Sequence, residues 1–248
     1  MRVPKTRRRN SILNVHAVLP SSCANGPGVR AVVWTQGCSR QCPGCRNPLT
    51  HSHEPRTLVE PDQLAEAIAA IPGVEGLTVS GGEPFEQASA VARLCKIVRQ
   101  SGLSVMVFTG WTYQGIRSSK DKAVKRLLTQ VDILVDGPFI RELADPKLRW
   151  RGSSNQKVWF LTDRYGPEVL DSADHTQLEV RLDAAGPLQI TGFADDADLG
   201  LLAHRLAAEA GILLTATAND PASTSKKGRA TARYPRPGDS DDYERNAL

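Results

Sequence analysis

Gln36-Gly37-Cys38-Ser39-Arg40-Gln41-Cys42-Pro43-Gly44-Cys45-Arg46-Asn47-Pro48 gathers three of the chain's five cysteines into eight residues, with the spacing C-x3-C-x2-C. Three thiolates on one tight loop form a soft ligand set that suits zinc, copper(I) or an iron–sulfur cluster. Structural zinc sites and ordinary iron–sulfur sites take four protein ligands. Three therefore either draw a fourth from elsewhere or leave one metal position open for chemistry. Gly37, Pro43, Gly44 and Pro48 suit a loop that turns sharply and brings backbone close to a compact group. The other cysteines, Cys23 and Cys95, stand well apart from the loop.

A second stretch, Leu77-Thr78-Val79-Ser80-Gly81-Gly82-Glu83-Pro84, is a short β-type run that ends in two glycines and an acid. The two stretches, in this order, resemble the radical S-adenosylmethionine (SAM) superfamily. The resemblance implies that Cys38, Cys42 and Cys45 hold one 4Fe-4S cluster and that SAM chelates the iron they leave free. It also implies that Gly81 and Gly82 let backbone approach the methionine ammonium while Glu83 places a negative charge nearby. Substitution of Gly82 is accordingly expected to weaken SAM binding and leave the cluster in place. The fold implied is α/β, an incomplete, partial TIM-like parallel barrel of about six βα units.

The rest of the chain is consistent with that frame. Residues 11–18 alternate as a strand, residues 25–28 (N-G-P-G) reverse the chain, and residues 29–34 read as a buried strand running into the cysteine loop. The cysteines thus stand at a strand's C-terminal end, where ligands gather in parallel α/β folds. Residues 60–70 form an amphipathic helix with proline in its first turn, stopped by Pro72-Gly73. A second helix covers residues 87–101 with Val91, Leu94, Cys95 and Val98 as its apolar stripe, which makes Cys95 a small buried hydrophobe. Strands follow at residues 103–108 and 131–135, with a helix at 122–128 between them. Weaker strand signals lie at 157–161, 178–182 and 188–191, and a helical pattern at 195–210. The domain expected from this pattern spans residues 11–217, between a basic disordered arm at 1–10 and a disordered tail at 218–248.

Further segments narrow the resemblance to the glycyl-radical-enzyme activases, of the anaerobic ribonucleotide reductase activating type. They are Asn25-Gly26-Pro27-Gly28-Val29-Arg30, Arg46-Asn47-Pro48 after the third cysteine, Phe108-Thr109-Gly110-Trp111-Thr112-Tyr113, Val135-Asp136-Gly137-Pro138-Phe139, and Arg149-Trp150-Arg151-Gly152-Ser153-Ser154-Asn155-Gln156. Where many members carry an aromatic residue beside the third cysteine, this chain has Gly44 and Arg46, and the Arg46 guanidinium can stack on adenine instead. Asp136 is a candidate for a cation or the polar groups of SAM, or else for turning the chain before Gly137-Pro138. The last of the segments is rich in donors suited to a carboxylate or a ribose.

The chemistry implied by the resemblance is reductive cleavage of SAM to methionine and a 5′-deoxyadenosyl radical, which takes a hydrogen from glycine on a partner enzyme. No residue beyond the cluster and SAM ligands is assigned a catalytic role. No arginine-valine-x-glycine-tyrosine radical site occurs in the sequence, so the glycine belongs to another protein. An external electron donor such as flavodoxin or ferredoxin is also implied. The alternatives are a radical SAM enzyme that modifies a peptide or small molecule, and a zinc-binding module with His51 or His53 as fourth ligand.

With 248 residues, 40% hydrophobic and 23% charged, the composition is that of a globular protein. The net charge of +4 is concentrated in terminal lysines and arginines, which read as solvated arms and argue against a nucleic-acid site. No apolar run reaches the length of a membrane span, the Arg-rich start lacks a cleavage pattern, and thiolates clustered this tightly fit a reducing cytoplasm.

Overall fold

β-branched residues alternating with others set the strands of a mixed sheet, and the computed structural model describes residues 12–171, 178–181, 189–193, 200 and 202. The elements run β1 (Leu13–Ser22), β2 (Arg30–Thr35), β3 (Thr57–Val59), α1 (Pro61–Ala69), β4 (Gly76–Gly81), α2 (Ala88–Gln100), β5 (Ser104–Phe108), α3 (Tyr113–Ser118), α4 (Lys122–Leu128), β6 (Ile133–Asp136), β7 (Lys157–Phe160), α5 (Glu168–Asp171), β8 (Leu178–Arg181) and β9 (Gln189–Gly192). Seven strands form one sheet in the order β3-β1-β2-β4-β5-β6-β7, and β8 pairs with β9 separately. By contact the chain divides into residues 1–194 and 195–248, and every element named here belongs to the first unit. The arm at 1–10, the helix at 195–210 and the tail at 218–248 expected from sequence lie outside the described residues, apart from positions 200 and 202.

The centre of the sheet is parallel: β2 pairs with β4, β4 with β5, and β5 with β6. Its margins are antiparallel, with β1 against β2, β3 against β1 and β7 against β6. Strands joined by a tight reversal such as residues 25–28 can only lie antiparallel, whereas parallel neighbours need a crossover, here supplied by α1, α2 and the α3–α4 pair. Among the described residues the sheet has four parallel strands, β2, β4, β5 and β6, where about six βα units were expected.

Period-two alternation sends successive side chains to opposite faces. Ala31, Val33, Leu77, Val79, Val105, Val107 and Leu134 face the helices and form the main core with Ala65, Ile68, Leu94, Val98 and Leu127. Cys95 belongs to this core, with no exposed surface, and burial pushes its thiol up to about 12. The helices start where their chemistry allows. Pro61 opens α1, the Thr112 hydroxyl accepts the Gly115 N–H at 3.2 Å, and the Asp121 carboxylate accepts the Ala123 N–H at 2.6 Å. On the other face Met106, Ile133, Val135 and Trp150 form a smaller cluster. The same face carries Arg30, fully buried at the start of β2. Its guanidinium donates to Thr78 Oγ1 at 2.8 Å, Ser104 Oγ at 2.7 Å, and the carbonyls of Leu77 (2.7 Å), Ser104 (3.3 Å) and Pro27 (3.2 Å).

Candidate functional site

The loops that follow β2, β4, β5 and β6 leave the same end of the parallel strands, and the candidate residues stand on them. Chain continuity requires this: β2 ends at Thr35 before Cys38, β4 ends at Gly81, β5 ends at Phe108 before Thr109-Gly110, and β6 ends at Asp136.

The cysteine loop is shaped by its backbone. Gly37 N–H donates to the Thr50 carbonyl at 2.8 Å, and Cys38 N–H to the His51 carbonyl at 3.1 Å, so the return segment carries the first cysteine. Cys45 N–H closes a turn onto the Cys42 carbonyl at 3.1 Å. Gln41 (φ 46°) and Gly44 (φ 75°) take left-handed backbone conformations; the first is uncommon for a residue with a side chain. A backbone N–H then points at sulfur: Asn47 N–H donates to Cys45 Sγ at 3.4 Å, and the backbone at Arg40 and Gln41 favours the Cys38 thiolate. Such bonds favour a thiolate and are a means of tuning an iron–sulfur cluster.

All three thiols are free. Cys38 is 9% exposed, and Cys42 and Cys45 are half-buried. Burial pushes the Cys38 and Cys45 thiols up, and the charges of Cys42 and Cys38 add to the rise at Cys45. The sulfurs are thus near enough to feel one another, yet among the described residues no three His, Cys, Asp or Glu side chains converge as a single metal ion requires. Three thiolates on one loop are a soft donor set that fits an iron–sulfur cluster. His53 Nε2 lies 2.9 Å from Glu86 Oε2, and buried His51 Nε2 has no hydrogen-bond partner among the described residues.

The Gly-Gly-Glu-Pro loop is stitched to this one. Gly82 N–H donates to the Thr35 carbonyl at 2.8 Å, and Glu83 N–H to the Gly37 carbonyl at 2.9 Å. A Cβ on Gly82 would collide with the Gly37 carbonyl, and one on Gly81 would come within 2.5 Å of the Thr35 nitrogen. Gly81 therefore admits the backbone at the end of β2, and Gly82 that of Gly37, one residue before Cys38, a close packing that sequence alone does not reveal.

Glu83 is wholly buried, and both its oxygens are engaged inside the protein. Oε1 accepts Phe85 N–H at 3.0 Å and the Thr109 hydroxyl at 2.8 Å, while Oε2 accepts Gly110 N–H at 2.8 Å. Burial pushes its carboxyl up to about 7 against the pull of those three bonds. Asp136 is also buried, with Oδ2 accepting the Tyr113 N–H at 2.6 Å, so it turns the loop that opens α3.

The remaining expectations divide. Gly44 and Arg46 are exposed on the cysteine loop, and the Arg141 guanidinium lies against Gly44, where an added Cβ would meet its Nε at 2.8 Å. In the donor-rich segment at residues 149–156, Asn155 and Gln156 are directed inward. Gln156 Nε2 donates to the Gly137 carbonyl at 2.9 Å, Asn155 Nδ2 to the Pro138 carbonyl at 2.8 Å, and Gln156 Oε1 accepts Gly152 N–H at 2.8 Å. These groups brace the loop after β6. Sequence reasoning passed over Glu86, which accepts the Ser39 N–H at 2.9 Å; its place three residues after Glu83, on one turn, was the available signal. A depression of about 250 Å³ lined by Arg151, Lys157, Val158, Trp159 and Leu170 includes none of the assigned site residues.

A family model described as a 4Fe-4S single cluster domain matches residues 24–159, a span that includes all three loop cysteines, Gly81 to Glu83 and Asp136. The anaerobic ribonucleoside-triphosphate reductase-activating protein of Vibrio cholerae is 36% identical over 158 residues, 60% of this chain and 99% of that protein. Its namesake in Escherichia coli is 32% identical over 157 residues, again 60% and 99%. The one in Haemophilus influenzae is 32% identical over 151 residues, 59% and 97%. With more than half of its length matched by the cluster-domain model and nearly the whole of these relatives covered, the chain belongs to the 4Fe-4S single cluster domain family of anaerobic ribonucleoside-triphosphate reductase-activating proteins.

Proposed function

We propose that the chain is a radical SAM enzyme that installs a glycyl radical on a separate partner enzyme. One observation carries the reading: the cysteine loop after β2 is hydrogen-bonded to the Gly-Gly-Glu-Pro loop after β4, in a chain whose relatives are named as reductase-activating proteins. When bound, a cluster with one iron free of protein supplies an electron to SAM, and thereby the radical that removes a glycine Cα hydrogen.

The protein's share is to bind, orient and exclude water. Cys38, Cys42 and Cys45 ligate three irons, and the backbone at Arg40, Gln41 and Asn47 supports the thiolate form of Cys38 and Cys45. Gly81 and Gly82 keep backbone free of side chains where the methionine ammonium binds, and Glu83 lends its charge from beneath that loop. Arg46 would stack its guanidinium on adenine, and Asp136 would hold a cation or a polar group of SAM.

The four parallel strands form the middle of an incomplete barrel whose open end admits a flexible glycine-bearing loop. The domain spans residues 11–217, between the basic arm at 1–10 and the tail at 218–248. The enzyme works in the cytoplasm, with an external donor such as flavodoxin or ferredoxin supplying the electron.

The test incubates the reduced, reconstituted chain with SAM and an anaerobic ribonucleotide reductase in the absence of oxygen. A glycyl-type doublet in the electron paramagnetic resonance spectrum is expected. Deuterium transfer into 5′-deoxyadenosine only from a labelled small molecule or peptide would replace this reading with the alternative substrate classes.

A further inference from the structure

One charged side chain fastens the cysteine loop and has no part in the function proposed above. Glu86 lies in the 3-10 turn Pro84–Gln87, where its N–H donates to the Glu83 carbonyl at 3.1 Å. Its Oε1 accepts the Ser39 N–H at 2.9 Å. Its Oε2 accepts the Ser39 hydroxyl at 3.3 Å and lies 2.9 Å from His53 Nε2. Ser39 Oγ and His53 Nε2 are 3.5 Å apart, and a Cβ on Gly37 would come within 2.9 Å of His53 Cδ2. Cys38 is thereby enclosed, with Gly37 before it, Ser39 after it, and Glu86 and His53 across from both.

We infer that Glu86 is a positioning residue of the cluster loop whose carboxylate also holds the reduction potential of the bound cluster down. The positioning follows from the bonding. Thr50 and His51 fix the backbone that enters Cys38, and the two-oxygen grip on Ser39 fixes the backbone that leaves it. The effect on potential follows from charge. A negative group beside a cluster opposes the arrival of an electron and so favours the oxidised form. Glu86 stands on an exposed turn, but its side chain is only 20% exposed where it lies against Ser39 and His53, so water screens its charge in part. Glu83 has the same sign but is held to Phe85, Thr109 and Gly110, which leaves Glu86 as the carboxylate bonded to the cysteine loop itself. Partners placed around ligands in this way orient the ligands and tune the metal.

The inference rests on the cluster reading, and the experiment separates the two. The full chain, Glu86→Gln and Glu86→Ala are reconstituted anaerobically. They are compared by iron and sulfide content, by the rate at which a ferrous chelator bleaches the chromophore, and by redox titration followed by electron paramagnetic resonance. Glu86→Gln keeps an acceptor for the Ser39 N–H and loses the charge. It is expected to assemble a full cluster with a midpoint potential shifted to more positive values. Glu86→Ala loses both, and is expected to show the positive shift together with several-fold faster bleaching. Wild-type potential and wild-type chelator resistance in both variants would overturn the inference and leave the cluster reading intact. Failure of the unmodified chain to take up iron and sulfide would overturn the cluster reading, and the inference with it.

Discussion

Arg30, at the start of β2, and Glu83, just past the end of β4, are both buried without exposed surface, and each ties β4 and β5 together from its own end of the parallel strands. Besides the Pro27 carbonyl, Arg30 reaches partners within the strands themselves, Leu77 and Thr78 of β4 and Ser104 of β5, and Tyr165 donates to Ser104 Oγ at 3.0 Å behind them. Glu83 reaches only loop partners, Phe85, Thr109 and Gly110. Neither has an opposite charge within salt-bridge distance among the described residues, and burial moves each toward neutrality: Arg30 down to about 10 and Glu83 up to about 7. A buried charge with neutral partners survives only if those partners are fixed. The strand ends provide this for Arg30; for Glu83, packed loops must provide it. One end of the sheet therefore maintains the fold, and the other maintains the geometry of the site.

The strongest way to break that contrast is Arg30→Ala, which removes the donor to several buried oxygens and leaves a cavity. About 3–5 kcal/mol of stability should disappear. Since a domain of this kind has about 5–15 kcal/mol in total, the loss should appear as a large drop in the urea midpoint of the metal-free protein. A midpoint close to wild type would mean that the network is ornamental.

Glu83 sharpens the comparison through pH. The folded state holds the proton up to about 7, whereas the unfolded chain releases it near 4.5. The stabilising difference is thus fully present below 4.5 and is lost as pH rises through about 7. The lost amount is about 3 kcal/mol at 1.36 kcal/mol per pH unit. Glu83→Gln cannot titrate, so denaturation curves between these limits should show wild type losing stability relative to the variant. Parallel pH profiles would place Glu83 in a more polar setting than its bonds describe.

Gly82→Ala is the smallest perturbation. Its Cβ meets the Gly37 carbonyl, and overpacking of this kind costs about 1–3 kcal/mol. Because Gly37 precedes Cys38, the shift should reach the cluster loop. Iron content and SAM affinity should fall together, whereas the sequence reading had the cluster persisting. Full iron content with only SAM affinity reduced would restore that simpler expectation.

Periodicity made α1, α2, α4 and the central strands legible, but not α3 or α5, whose six and four residues are too short to carry a pattern. The helix expected at residues 122–128 is α4 with the same limits, and the buried run into Cys38 is β2. Composition also made the placement of the cysteine loop at a strand end legible, since a strand must end before a loop can turn. β3 was not visible, because three residues that are exposed or half-buried carry no pattern. The inward turn of Asn155 and Gln156 was not visible either: a hydrogen-bond donor reads the same in sequence whether it faces a ligand or the Gly137 carbonyl. Trp150, buried with φ at 57°, shows how far tertiary packing can override local preference. Glu83 and Glu86 lie on one turn, yet one points into the sheet end and the other to Ser39; only the register between loops after β2, β4 and β5 separates them.

The central claim, that three cysteines of one strand-end loop carry a single cluster with an open iron, is tested most directly by replacing every cysteine in turn. Anaerobically reconstituted Cys38→Ala, Cys42→Ala and Cys45→Ala should lose the brown chromophore and all SAM cleavage. Cys23→Ala, at an exposed position, and Cys95→Ala, within α2, should keep both. Loss of the cluster in Cys23→Ala together with its retention in Cys42→Ala would contradict the assignment.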